Sequence, residues 1–510
     1  MKSAQFSSRL QVVFALCILA IAACCTEARI EAQAAPEHSG RSFVHITDKT
    51  NKAEARSIPA LMISDIHFDP FHDPAKLRQL VEAPTTEWTS ILTAPSSLDQ
   101  QQAFDSLQEK CHARGVDTPY ALLHSSIQAM KSRQPNAAFM TVSGDLIAHA
   151  FPCRFKTLLP QSTPSDYQTF VLKTLSFIVT ELQTAFPNMP IYMALGNNDS
   201  NCGDYQLDED SDFLKQTGTL FAGMLPFPRR DDVIRQFPAG GYYSLEMAAP
   251  MHATRLIALN DVFLSPKYTT CGSLPVARAG DDQIAWLKQQ LEDARKLHQN
   301  VWVLGHIPPG VNVYSTVAKM KNICDKAKPD MFLSSDALTD TLVENADVIR
   351  LAIFAHTHMD EIRLLQPENS DGKTSDGHRI GMKMVPSISP VDGNDPSFTV
   401  AQINPSTAML QDYEVVRASN QTGVGTTWST EYDFAQTYHE SEFSPTSVAK
   451  TIAEFKADPD STQAVSEAYI RNFFVGDRSI ELKPFWPQYV CGLANSSAKS
   501  FTECVCSAHK

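Results

Sequence analysis

Five short segments constrain this chain most, because each ends an apolar run with residue types that bind metals. They are Asp65-Ile66-His67, Gly144-Asp145, Gly196-Asn197-Asn198-Asp199, Gly305-His306 and Ala355-His356-Thr357-His358. The apolar runs before them are Ala60–Ile63, Ala138–Val142, Ile191–Leu195, Val301–Leu304 and Leu351–Phe354. A buried strand that delivers polar residues just beyond its carboxyl end is the usual arrangement in open α/β sheets. Between the runs lie helical patterns. Ile284, Leu287, Leu291, Ala294 and Leu297 recur three or four apart after a candidate cap at Asp281. Phe170, Leu175, Ile178, Leu182 and Phe186 follow a similar spacing. The alternation predicts a layered α/β fold over residues 58–416.

The 510 residues carry a formal net charge of -14. No broad basic face for nucleic acid is expected from such a chain. An anionic substrate must then be drawn by a local positive centre, which bound cations provide. At the start, Lys2 and Arg9 precede an apolar run from Val12 to Ala23. That run falls short of the about 20 residues a membrane span needs, and predicts an export signal over 1–24. Ile21-Ala22-Ala23-Cys24 also resembles a lipobox, which makes Cys24 a candidate membrane tether; ordinary cleavage a little downstream is the alternative. The expected location is extracellular or in the cell envelope. Residues 25–57 read as a polar tether.

Eight cysteines follow: Cys111, Cys153, Cys202, Cys271, Cys324, Cys491, Cys504 and Cys506. An even number in an exported chain predicts disulfides. Residues 366–379 read as a loop. Residues 417–510 open with a polar stretch and continue into a candidate helix headed by Pro445, with Val448, Ile452 and Phe455 on one face. They predict a small helical, disulfide-bearing C-terminal subdomain.

The candidate metal ligands are Asp65, His67, Asp145, Asn197, His306, His356 and His358. Two aspartates, one asparagine and four histidines suit two divalent cations sharing one bridging carboxylate. Gly144 lets the backbone bend so that Asp145 supplies that bridge. Nitrogen and oxygen donors without thiolate suit Zn²⁺ first, with Mn²⁺ or Fe as alternatives. Two cations about 3.5–4 Å apart clamp a phosphate and acidify a water.

In order, the five blocks resemble the calcineurin-like metallophosphoesterase superfamily, whose pattern is Asp-x-His, Gly-Asp, Gly-Asn-His-Asp/Glu, Gly-His and Gly-His-x-His. The resemblance implies a two-sheet sandwich flanked by helices, and phosphoester hydrolysis by metal-bound hydroxide. It assigns Asp65, His67, Asp145 and His358 to one cation, and Asp145, Asn197, His306 and His356 to the other. A narrower resemblance covers most of 58–416. The stretches Ser64–Pro70, Asp117–Tyr120, Gly144–His149, Gly305–Gly310, His356–Glu361, Pro386–Pro390 and Asn394–Phe398 are similar to the acid sphingomyelinase-like phosphodiesterases. Ala148 stands where purple acid phosphatases have an iron-binding tyrosine.

Two departures from the pattern matter. Asn198 replaces the histidine of the third block, and an amide donates hydrogen bonds to phosphate but no proton. His149, where the branch carries a second active-site histidine, becomes the candidate acid. Ala355 replaces a glycine. The resemblance implies a phosphodiester substrate, either a small molecule or a lipid headgroup. The Asn-Asn-Asp form resembles the endopolyphosphatases, and Lys319, Lys321, Lys326 and Lys328 follow His306. Polyphosphate is therefore the rival substrate. A reading of another class is a metal-stabilised binding protein with little turnover.

Overall fold

Each apolar run that precedes a ligand block forms a strand. The computed structural model describes residues 57–507 apart from 252, 275–277, 368–377 and 481. The predicted signal, Cys24 and the tether up to residue 56 lie outside the described residues. The first six strands are β1 (Ile58–Ile63), β2 (Met140–Val142), β3 (Ile191–Met193), β4 (Tyr243–Glu246), β5 (Thr254–Ala258) and β6 (Asn300–Leu304). The next six are β7 (Ile349–Phe354), β8 (Glu361–Leu365), β9 (Ile380–Met384), β10 (Ser397–Asn404), β11 (Met409–Ala418) and β12 (Trp428–Asp433).

These strands form two mixed sheets, ordered β12-β11-β10-β1-β2-β3 and β4-β5-β6-β7-β9-β8. The ligand-bearing strands are parallel to their neighbours: β1 to β2, β2 to β3, and β6 to β7. Parallel strands end on the same side, so the blocks that follow them gather at one edge of each sheet. Between the sheets, Phe139 meets the fully buried Trp302 edge-on with ring centres 5.6 Å apart. The Trp302 indole N–H is not left unpaired, since it donates to the Ala408 carbonyl at 2.8 Å.

Helices cover the sheets and follow the predicted periodicity. The helix Pro164–Ala185 opens with a capping box at Thr163 and buries Phe170, Leu175, Ile178 and Leu182, with Phe186 at its C-cap. The helix Arg278–Lys296 buries Ile284, Leu287, Leu291 and Ala294. Two details of that expectation change. Asp281 lies inside the first turn, where its charge still favours the helix N-terminus. Leu297 falls beyond the helix and is 60% exposed, because the chain turns through a left-handed His298.

The boundary expected at residue 416 falls within β11. The C-terminal segment adds β12 to the sheet before its helices begin, among them the predicted Pro445–Ala457. All eight cysteines are paired, as Cys111–Cys153, Cys202–Cys271, Cys324–Cys506 and Cys491–Cys504. No described helix is long and apolar enough to cross a membrane.

A buried polar network joins the C-terminal segment to the His356–His358 turn. Lys383 is wholly buried and pairs with the Asp360 carboxylate, which also accepts the Tyr432 hydroxyl. Tyr413 completes the group, its hydroxyl 3.0 Å from that of Tyr432. Burial pulls the Lys383 ammonium below its ordinary pKa, and Asp360 works against that shift. Removing one partner of such a pair leaves an uncompensated buried charge. Asp360→Asn is expected to cost about 3–5 kcal/mol, read as a lower urea midpoint at unchanged slope. A loss below about 1 kcal/mol, the scale of an exposed pair, would contradict this role for the network.

Candidate metal centre

The five blocks meet where the two sheets adjoin. Hydrogen bonds hold the loops together: Asp65 N–H donates to Gly144 O at 3.0 Å, His67 N–H to Asp145 O at 2.9 Å, and Ala355 N–H to His306 O at 2.9 Å. The His306 ring crosses between sheets, with Nδ1 2.7 Å from Ser143 O. Asp65, His67, Asp145, His356 and His358 all have positive φ, between 43° and 73°. Side chains rarely adopt this left-handed conformation, which costs about 1–2 kcal/mol per residue. Such strain persists where the surroundings over-determine it, and it clusters at functional sites. Asp65 and His67 therefore sit on a sharp turn just past the end of β1. Gly196 permits the closest approach, because a Cβ there would lie 2.1 Å from Asp145 Oδ1.

All four candidate histidines turn one nitrogen toward a polar partner and the other into the cluster. His67 Nδ1 lies 3.0 Å from Ile147 O. A carbonyl only accepts, so Nδ1 of both His67 and His306 carries the proton and Nε2 presents a lone pair. His358 Nδ1 lies 3.3 Å from Asp392 Oδ2, off the line of a good hydrogen bond. His356 is reversed: its Nε2 lies 3.3 Å from the Tyr205 hydroxyl and its Nδ1 faces inward.

The inward atoms form two groups about one oxygen. Asp145 Oδ2 is 3.5 Å from His67 Nε2 and 3.2 Å from His306 Nε2. On one side, His358 Nε2 lies 3.2 Å from His67 Nε2 and 3.3 Å from Asp65 Oδ1. On the other, His356 Nδ1 and Asn197 Oδ1 lie 3.2 and 3.1 Å from His306 Nε2. Tetrahedral ligands at zinc–nitrogen bond lengths stand about 3.3 Å apart, so these separations fit. The buried Asp65 Oδ1 accepts no well-formed hydrogen bond, as befits an atom facing a cation. The residues present thus form a His/Asp cluster able to hold metal ions.

The electrostatics agree. Burial raises Asp65 and Asp145, but neighbouring histidines, chiefly His358 and His306 respectively, hold both below the usual carboxylate range. Burial lowers His306, and the Asp145 charge outweighs it and carries His306 up to about 10. Burial and then the His306 charge push His356 down to about 3. The cluster has an affinity for positive charge, which a bound cation would satisfy in place of the proton.

Asn198 reaches Asp145 twice. Its backbone N–H donates to Oδ1 and its side-chain amide to Oδ2, both at 2.8 Å. The expectation placed this amide on phosphate. One of its two N–H groups faces Asp145 instead, which leaves the other. His149 stacks on His67 with ring centres 3.9 Å apart. Its Nδ1 is 2.9 Å from Asp117 Oδ1. Burial lowers His149, and Asp117 more than compensates, so its pKa is raised. Asp117 is itself buried against Arg154 and accepts the Ser389 hydroxyl at 3.2 Å.

Supporting carboxylates hold the loops; Asp199 belongs to the third sequence block, whereas Asp261 and Asp204 carried no motif signal. Asp199 accepts the N–H groups of Leu146, Ile147 and Gly196, and Asp261 those of His306 and Ile307. Asp204 accepts the Asn197 amide at 2.7 Å and so turns its oxygen inward. Asp117 was visible only within the resemblance. Of the lysine cluster, Lys319 and Lys321 both close on Asp330, at 2.8 and 2.7 Å.

The family model of the calcineurin-like phosphoesterases matches residues 58–360, the span that contains all seven candidate ligands. The chain belongs to the calcineurin-like phosphoesterase family. It is 25% identical to the cyclic GMP-AMP phosphodiesterase SMPDL3A of Bos taurus, over 76% of this chain and 80% of that one. It is 28% identical to sphingomyelinase phosphodiesterase D of Dictyostelium discoideum, over 64% and 66%. It is 23% identical to the human acid sphingomyelinase-like phosphodiesterase 3b, over 76% and 80%. This family member therefore sits in the acid sphingomyelinase-like branch and is a phosphoric ester hydrolase.

The Gly196 contact gives a test that does not touch a ligand. Gly196→Ala is expected to displace Asp145 and to lose at least about half of the bound metal, by the usual sensitivity of ligands to their supports. Metal content measured on folded variant protein checks this. An undiminished content would contradict the packing argument.

Proposed function

We propose that this phosphoesterase is an exported phosphodiesterase that works with two divalent cations. The observation that carries the reading is the pair of donor groups on either side of Asp145 Oδ2. Asp65, His67, Asp145 and His358 would hold one cation, and Asp145, Asn197, His306 and His356 the other. The donor set suits Zn²⁺, with Mn²⁺ or Fe as alternatives. Bound there, the cations supply Lewis acidity toward a phosphate and acidify a water.

The chain's own residues do the rest. Ser143 and Ile147 carbonyls fix the tautomers of His306 and His67. Asn198 fixes the orientation of Asp145 and keeps one N–H for a phosphate oxygen. Asp117 holds His149 by Nδ1 and frees Nε2 to give a proton to the leaving oxygen. Such proton transfer is worth about 10²–10⁴-fold in rate. A substrate that is a phosphodiester, small-molecule or lipid, is supported by relatives named for cyclic GMP-AMP and sphingomyelin chemistry. Four disulfides and the predicted signal support export. Cys24 remains the proposed tether.

Polyphosphate is the second reading, favoured by Asn198, since an anhydride leaving group needs less protonation. The closure of Lys319 and Lys321 on Asp330 weakens it.

Two variants test the scheme. Asp145→Asn is expected to abolish turnover of bis(4-nitrophenyl) phosphate and to lower metal content; full activity would sink the shared-ligand assignment. His149→Gln is expected to cost about 10²-fold or more on alkyl diesters, the scale of general-acid catalysis, and far less on 4-nitrophenyl esters. Equal losses on both would show that His149 positions substrate rather than giving a proton.

A further inference from the structure

On the loop that carries Asp117, the partner of His149, stands Arg114. Its guanidinium donates to Asp392 Oδ1 at 2.8 Å, and its side chain is 63% exposed. The other Asp392 oxygen lies 3.3 Å from His358 Nδ1. One carboxylate therefore separates this cation from a candidate metal-ligand ring. The ring centres of His149 and His358 are 5.7 Å apart, so the carboxylate that Arg114 holds lies against the neighbour of His149.

The loop is held firmly. Cys111–Cys153 fastens it to the helix Phe151–Leu158, which begins two residues after His149. Gly115 lies so close to the next loop that a Cβ would come within 2.1 Å of Val391 O. Arg114 thus stands on an anchored loop, tied to Asp392 by one N–H group of a guanidinium that has five and lies on a mostly exposed side chain. The opposite end of the centre has a comparable arrangement, from His356 Nε2 to Tyr205 to Lys267. Lys267 is already engaged, however, with Nζ 4.6 Å from the centre of the Tyr205 ring.

We propose that Arg114 is a specificity-determining residue that binds an anionic group on the leaving portion of the substrate. The inference rests on the phosphodiesterase reading, and within it on His149 marking the leaving-group side. A phosphate or carboxylate there meets the free guanidinium edge. A neutral lipid alcohol gives it nothing to bind, and a cationic group is repelled. The preferred substrates are therefore those whose leaving group is itself an anion.

The test uses the metal-loaded full chain, with metal content counted in each sample. Inorganic phosphate and inorganic pyrophosphate serve as inhibitors of bis(4-nitrophenyl) phosphate hydrolysis. Wild-type protein is expected to bind pyrophosphate at least about tenfold more tightly than phosphate, the size of one charge-assisted hydrogen bond. Arg114→Gln should remove that preference by raising the pyrophosphate inhibition constant more than the phosphate one, with metal content retained. Arg114→Lys should restore part of it. Lys267→Met should leave the preference intact. An unchanged preference in Arg114→Gln, or its loss in Lys267→Met alone, would overturn the assignment. No hydrolysis of the aryl diester by metal-loaded wild-type protein would overturn the phosphodiesterase reading itself.

Discussion

The structure depends on one buried carboxylate. Asp145 Oδ2 lies between His67 and His306, which come from different sheets. An ionised carboxylate without compensation is costly to bury, so positive charge must gather around it. The histidines supply part of that charge, and the donor geometry fits cations for the remainder. The parallel strand order, the abrupt turns after each strand and the glycine at 196 all serve to bring donors to this oxygen. Asn198 then clamps it with two hydrogen bonds.

The cost of this arrangement is backbone strain. Five of the seven candidate ligands adopt left-handed φ, although none is glycine. Buried carboxylates outside the ligand set offset that cost. Asp199 and Asp261 accept the amides exposed where the strands turn, and each is pushed up to about 7, mainly by burial. On the outer side, the Lys383–Asp360–Tyr432 network braces the His356–His358 turn with a tyrosine from β12. The C-terminal segment is therefore part of the support for the site, as well as a cover for the sheet.

Much of the fold and site was legible in the sequence, because both follow local rules. Strand runs such as Val301–Leu304 and helical spacings such as Ile284–Ala294 come from short-range periodicity. The ligand blocks announce themselves by residue type at strand ends. What stayed hidden depends on distant partners. Nothing near Asp117 in the chain shows that it meets His149, 32 residues away. Asp392 and Arg114 are 278 residues apart, and their pairing exists only because Gly115 lets two loops touch. The apolar spacing runs on to Leu297 although the helix ends at Lys296, because an apolar residue can sit exposed just past a helix at small cost. The polar residues of β12 read as a loop in the sequence, because only the pairing with β11 makes them a strand.

The measurement that bears most directly on this account is anomalous diffraction from crystals of the protein loaded with Mn²⁺ or Zn²⁺. The account predicts two peaks about 3.5–4 Å apart, the spacing of two-metal hydrolase sites, with Asp145 bound to both. One peak should lie near Asp65, His67 and His358, and the other near Asn197, His306 and His356. A single peak, or two that do not share Asp145, would contradict it.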